Sequence, residues 1–113
     1  MARTKRNTVK KPDFLKDLVL WRNDPESAKE IQKLAHSGNT DAQYALGLIY
    51  AEGRGLKQDE IKSYYWLLHA KQAGYPDAET LLQIVMQSMS LEEINYADNI
   101  FNSQSLHNEM NDA

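Results

Sequence analysis

The chain repeats itself. A shift of 36 residues lays Ala35-His36-Ser37-Gly38 over Lys71-Gln72-Ala73-Gly74, Asp41-Ala42 over Asp77-Ala78, Leu46 over Leu82, and Tyr50 over Met86. The matches fall at small and apolar positions with helical spacing. A period of this length belongs to arrays of helix pairs, in which each repeat buries its apolar face against its neighbours. Pro12, Pro25, Gly38, Gly53, Gly55, Gly74 and Pro76 cut the chain between periodic segments, as Gly and Pro do at turns. No segment alternates with period two, so no sheet is expected. The pattern predicts six helices, near 13–22, 25–37, 41–52, 59–73, 77–88 and 91–102. Their ends are marked. Asp24-Pro25 fits an N-cap followed by N1. Thr40-Asp41-Ala42-Gln43 and Ser90-Leu91-Glu92-Glu93 fit capping boxes, the second with Met89 and Ile94 at the staple positions. Gly38 and Gly74 stand where a helix needs a left-handed C′ residue.

One stretch is more specific. It runs Ala35-x-x-Gly38-x-x-x-Ala42-Gln43-Tyr44-x-Leu46-Gly47-x-x-Tyr50-x-x-Gly53-x-Gly55-Leu56-x-x-Asp59, then Lys62, Trp66, Ala70 and Gly74. This resembles the Sel-one-like repeat, a relative of the tetratricopeptide repeat. Ser63 and Lys71 depart from it, each standing where the family usually has Ala. Residues 35–103 follow the pattern well and 13–34 follow it weakly. The resemblance implies an all-α fold, a short α-solenoid of antiparallel helix pairs. The residues have physical reasons to be there. Ala42, Leu46 and Tyr50 form one buried stripe. Gly47 and the small Ala70 let a neighbouring backbone approach. Trp66 fills the space those small residues leave, and its indole N–H calls for an acceptor. Gly53 and Gly55 permit positive φ in the turn between paired helices. Asp59 starts the next helix as its N-cap.

The length of 113 residues suits one domain, expected over 12–103, with disordered tails at 1–11 and 104–113. There is no cysteine, which removes disulfides and thiolate chemistry and is compatible with a reducing cytosol; a cytoplasmic location is the expectation. No apolar run is long enough to span a membrane, and the N-terminus lacks the apolar stretch of a secretory signal. The net charge of −3 hides an asymmetry: Arg3, Lys5, Arg6, Lys10 and Lys11 lie in the first eleven residues without an acid, and the rest carries −8. That acidic body repels nucleic acid. Nucleic acid or an anionic membrane is therefore expected to engage only through residues 1–11, if that tail is more than a solvated end.

No catalytic constellation is visible. Gly53-x-Gly55 follows a helix and lacks the third glycine of a phosphate loop. His36, His69 and His107 are scattered and read as ordinary histidines, with His69 able to pack near Tyr65 and Trp66. No serine sits in a nucleophile elbow. Neither enzyme activity, nor a metal, nor a cofactor is expected. Tyr64, Tyr65 and Trp66 cannot all face one core, so Tyr64 or Tyr65 should be partly exposed. The resemblance implies a non-catalytic adaptor or scaffold that binds another protein on the concave side, lined by the first helix of each pair. The expected surface is Tyr44 and Leu48 flanked by Asp41, Gln43 and Glu52. Leu81, Gln83 and Gln87 extend it by the repeat shift, and Tyr65 is the exposed aromatic of the second helix. An alternative use of Tyr44 and Leu48 is to cover the preceding helix pair. Two other functions fit the charges: an acidic inhibitor or immunity protein that neutralises a basic target, and an accessory acting through the basic tail. A monomer and a homodimer are both compatible with the sequence.

Overall fold

The structure, a computed structural model, describes residues 25–112, with side chains through 104. Five helices follow one another: α1 Pro25–His36, α2 Thr40–Glu52, α3 Glu60–Gln72, α4 Ala78–Met86 and α5 Leu91–Asp112. No strand occurs among the described residues. Five helices stand there instead of six; the one expected at 13–22, the Asp24 cap and the basic segment 1–11 lie outside the described residues.

The helix ends carry the repeat most clearly. At the end of α1, Asn39 N–H donates to Leu34 O at 3.0 Å and Gly38 N–H to Ala35 O at 3.1 Å. At the end of α3, Tyr75 N–H donates to Ala70 O and Gly74 N–H to Lys71 O, both at 2.9 Å. This is the same two-bond closure at equivalent positions of the repeat. It needs a left-handed residue at its corner, and Gly38 and Gly74 sit at φ 98° and 91°.

The starts partly differ from expectation. Ser90 and Glu93 form the expected box, Glu93 N–H donating to Ser90 Oγ at 3.1 Å and Ser90 N–H to Glu93 Oε1 at 2.9 Å. Asp59 caps α3 by accepting from Lys62 N–H. The box expected at Thr40 does not form. The helix starts one residue earlier than the box requires: Thr40 is its first helical residue, and Asn39, extended at φ −72° and ψ 115°, is the cap and accepts from Ala42 N–H. Gln43 is freed from the box and donates from Nε2 to Ala35 O. α4 ends before the expected 88; Gln87, Ser88 and Met89 close it with tighter bonds to Ile84, Val85 and Met86. α5 continues beyond 102 through Asp112, so the backbone of 104–112, expected as a disordered tail, is helical. Once the Ser90 box has nucleated the helix, each further residue adds a hydrogen bond at small cost.

Two cores explain the order of packing. α1 packs on α2, α2 on α3, and α3 on both α4 and α5. The first core joins Ile31 and Ala35 of α1 to Leu46 and Ile49 of α2 and to Trp66 of α3. The second joins Tyr44 of α2 to Tyr64 and Leu67 of α3, Leu82 and Val85 of α4, Met89, and Ala97 of α5. α2 and α3 therefore lie between two cores and bury residues on more than one face.

Gly47 shows what holds α2 to α3. A Cβ there would stand 2.6 Å from both Cγ and Cδ2 of Leu67. On the same line of contact, Ser63, fully buried, donates from Oγ to Gly47 O at 2.7 Å. The hydroxyl that departs from the repeat pattern is thus a buried interhelical hydrogen bond.

Candidate functional site

A cavity of about 550 Å³ opens between α1, α3 and α5. Its walls are aromatic and aliphatic: Tyr50 from α2, Tyr65 and Trp66 from α3, Tyr96 and Ile100 from α5. Polar groups stand among them: Gln32 and His36 from α1, Asp59 and Lys62 at the start of α3, and Gln104 from α5. Helical spacing produces this grouping. Gln32 and His36, Tyr96 and Ile100, and Ile61 and Tyr65 are each i, i+4 pairs, so each helix presents one strip to the opening.

Most of these side chains are held in place. Gln32 Nε2 donates to Tyr50 Oη at 3.2 Å, and Lys62 Nζ lies 5.6 Å from the centroid of the Tyr50 ring, within cation–π range. Tyr65 Oη donates to Gln104 Oε1, tying α3 to α5. His36 meets Trp66 edge to face at 4.9 Å. Trp66 is nine-tenths buried and lines the cavity, and its indole N–H makes no hydrogen bond among the described residues. Tyr96 is 58% exposed, an unusual value for an aromatic ring.

Behind this wall lies an aromatic cluster. His69 meets Tyr65 and Phe101 edge to face, each at 4.8 Å, and lies tilted to Trp66 at 5.4 Å. Its Nε2 is buried without a hydrogen-bond partner among the described residues. Burial, and then the nearby His36, push its pKa below the ordinary histidine value. Beside it, Tyr64 donates from Oη to Asp98 Oδ1 at 2.9 Å. Burial first, and then that carboxylate, push the phenol up to about 12. Both groups stay neutral near pH 7. The arrangement holds no nucleophile with a base in reach, and no group of His, Cys, Asp or Glu among the described residues could hold a metal ion. No helix there is long and apolar enough to cross a membrane.

Two members of the surface expected from the sequence are buried, and the others are half-buried or exposed. Tyr44 is buried and stacks on Tyr75 at a centroid distance of 4.3 Å. Gln43 is buried and donates to Ala35 O. Leu48 and Leu81 are half-buried against the second core. Tyr44 and Leu48 thus cover the following helices, not the preceding ones. The reason is the position of α2 between two cores: the face taken as free is the face that the next repeat covers. Asp41 is half-buried. Glu52 is exposed and paired with Arg54 at 2.6 Å. Gln83 and Gln87 are exposed and border a separate groove of about 500 Å³ with Leu68 and Met86. Tyr65 is half-buried and is the only member of that expected surface in the aromatic cavity. Gln32, His36, Ile61, Lys62, Tyr96 and Ile100 were not expected. Their i, i+4 pairing is visible in the sequence, but nothing there indicates that α1, α3 and α5 share a wall.

Comparison with known proteins gives partial likenesses. The chain is 36% identical over 59 residues to the alginate biosynthesis protein AlgK of Azotobacter vinelandii, covering 52% of this chain and 13% of that protein. It is 37% identical over 60 residues to HRD3A, an ERAD-associated E3 ubiquitin-protein ligase component of Arabidopsis thaliana, covering 52% and 9%. It is 31% identical over 65 residues to chitin synthase regulatory factor 3 of Schizosaccharomyces pombe, covering 58% and 7%. The chain thus spans a small part of each of these relatives. No family model matches it, and no solved structure does. Three long proteins of different names share a segment of similar length with this chain, which supports a helical repeat as the thing in common.

Proposed function

We propose that this chain is a non-catalytic protein-binding module, a short α-solenoid of Sel-one-like helix pairs, and that its partner sits in the aromatic cavity between α1, α3 and α5. The observation that carries the reading is that cavity: an exposed Tyr96 ring and the edge of Trp66 line one opening with Tyr50, Tyr65 and Ile100. Exposed aromatics flanked by adaptable amides are the groups that anchor protein partners. The relatives are named as a biosynthesis protein, a ligase component and a regulatory factor, and those names suit a segment that joins proteins together. The role that follows is adaptor. The inhibitor of a basic target is less well supported, because Lys62 and His36 stand in the cavity itself.

Affinity capture from the native host tests this with three forms of the full chain. The parent and an Ile84→Glu control, altered on the exposed side of α4, should retain the same partner. Tyr96→Glu should lose it. Retention by Tyr96→Glu together with loss by Ile84→Glu would place the interface elsewhere.

A further inference from the structure

The charge of the cavity differs from that of the molecule. A second depression on α1, walled by Lys29, Gln32, Lys33, His36 and Ser37, shares Gln32 and His36 with the aromatic cavity, so the two adjoin along α1, and the pair is called the groove below. Residues 25–112 contain six Lys and Arg against thirteen Asp and Glu. Three of those six, Lys29, Lys33 and Lys62, line the groove, and His36 stands between them. Of the acids whose side chains are described, only Asp59 lines it, and its carboxylate accepts from Lys62 N–H as the cap of α3. Glu26 and Glu30, on the same helix as Lys29 and Lys33, are not in its walls. Lys29 and Lys33 are exposed and make no ion pair among the described residues. A chain that is acidic overall therefore presents a basic groove with an aromatic floor.

We infer that the groove selects an acidic segment of another protein, one that places an aromatic or aliphatic side chain on Trp66 and Tyr96 and carboxylates beside Lys29, Lys33 and Lys62. This rests on the protein-binding reading above and specifies its partner. The charges set selectivity and encounter rate, and the ring contacts set residence. A basic segment, the target suggested by the overall charge, meets three lysines at close range and is disfavoured. The indole N–H of Trp66, which has no acceptor among the described residues, has a carbonyl or carboxylate of the segment to donate to.

Three fluorescein-labelled probe peptides of one length test this on the full chain. Each carries a central Phe-Leu pair, flanked by Glu in the first, Gln in the second and Lys in the third. Anisotropy gives affinity, and the Trp66 indole resonance in two-dimensional NMR reports the groove; a Trp21→Phe variant assigns it. The Glu peptide should shift that resonance and bind at least about tenfold more tightly than the Gln peptide at low salt, with the gap shrinking as salt screens it. The combined change Lys29→Gln, Lys33→Gln and Lys62→Gln should close most of the gap while leaving the helical signal intact. If the Gln or Lys peptide shifts the resonance with equal or greater affinity, the acidic preference is wrong and the groove reading stands. If no peptide shifts it, both are wrong.

Discussion

Gly47→Ala should destabilise the protein, although Ala is the better helix former by about 1 kcal/mol. The added methyl would stand 2.6 Å from Leu67 Cγ and Cδ2, where ordinary carbon contacts lie near 3.5–4.0 Å. Leu67 is fully buried, and Cγ is not a free end that can swing aside. Helix separation is also fixed, by the 2.7 Å bond from Ser63 Oγ to Gly47 O. Overpacking of this kind costs about 1–3 kcal/mol. Two atoms in conflict put it in the upper part of that range, and subtracting the propensity gain leaves a net loss of about 1–2 kcal/mol. That corresponds to a fall of roughly 5–10 °C in Tm. The sign should reverse when Leu67 is shortened. Leu67→Ala alone should cost about 2–5 kcal/mol, and in that background Gly47→Ala should stabilise by about 1 kcal/mol. Urea denaturation of the four proteins measures the coupling directly. A Gly47→Ala protein more stable than the parent would refute the close approach of α2 and α3.

Trp66→Ala should cost about 3–5 kcal/mol by chemical denaturation, because the ring closes the first core; a loss under about 1 kcal/mol would place it outside that core. Tyr64 has its phenol pushed up to about 12, so its neutral form is favoured by folding. That contribution is complete below pH 10 and is lost as pH rises from 10 towards 12; Tyr64→Phe should flatten the stability curve there. His69, held below its ordinary value of 6.5, contributes in the opposite sense. Its share is complete above that value and is lost as pH falls below it, so His69→Phe should reduce the acid sensitivity of thermal unfolding.

The sequence was most informative where one residue has one job. Gly38 and Gly74 predicted left-handed corners because few other residues tolerate them, and Asp59 and Ser90 predicted caps from their own chemistry. Gly47 predicted a close helix contact because no other reason places glycine inside a helix. The errors come from residues that can do either of two things. Thr40 and Asn39 both cap helices, and only the geometry of the preceding turn decides between them. Tyr44 and Leu48 are apolar on the side away from the Ala42–Leu46–Tyr50 stripe. A partner surface and a second core have the same pattern there, and the answer depended on Tyr75 and α3. The groove was hidden for a similar reason. Gln32, Lys62 and Tyr96 are far apart in the chain, and only the packing of α5 on α3 assembles them.

The central claim is that partner recognition occurs in the aromatic groove and not on the first-helix face. Site-specific photo-cross-linking tests it most directly. A benzophenone side chain replaces Tyr96 in one form of the full chain and Gln83 in another, and both are irradiated in the native host. The groove account predicts a cross-linked protein from position 96 that is missing from position 83. A cross-link from position 83 alone would contradict it.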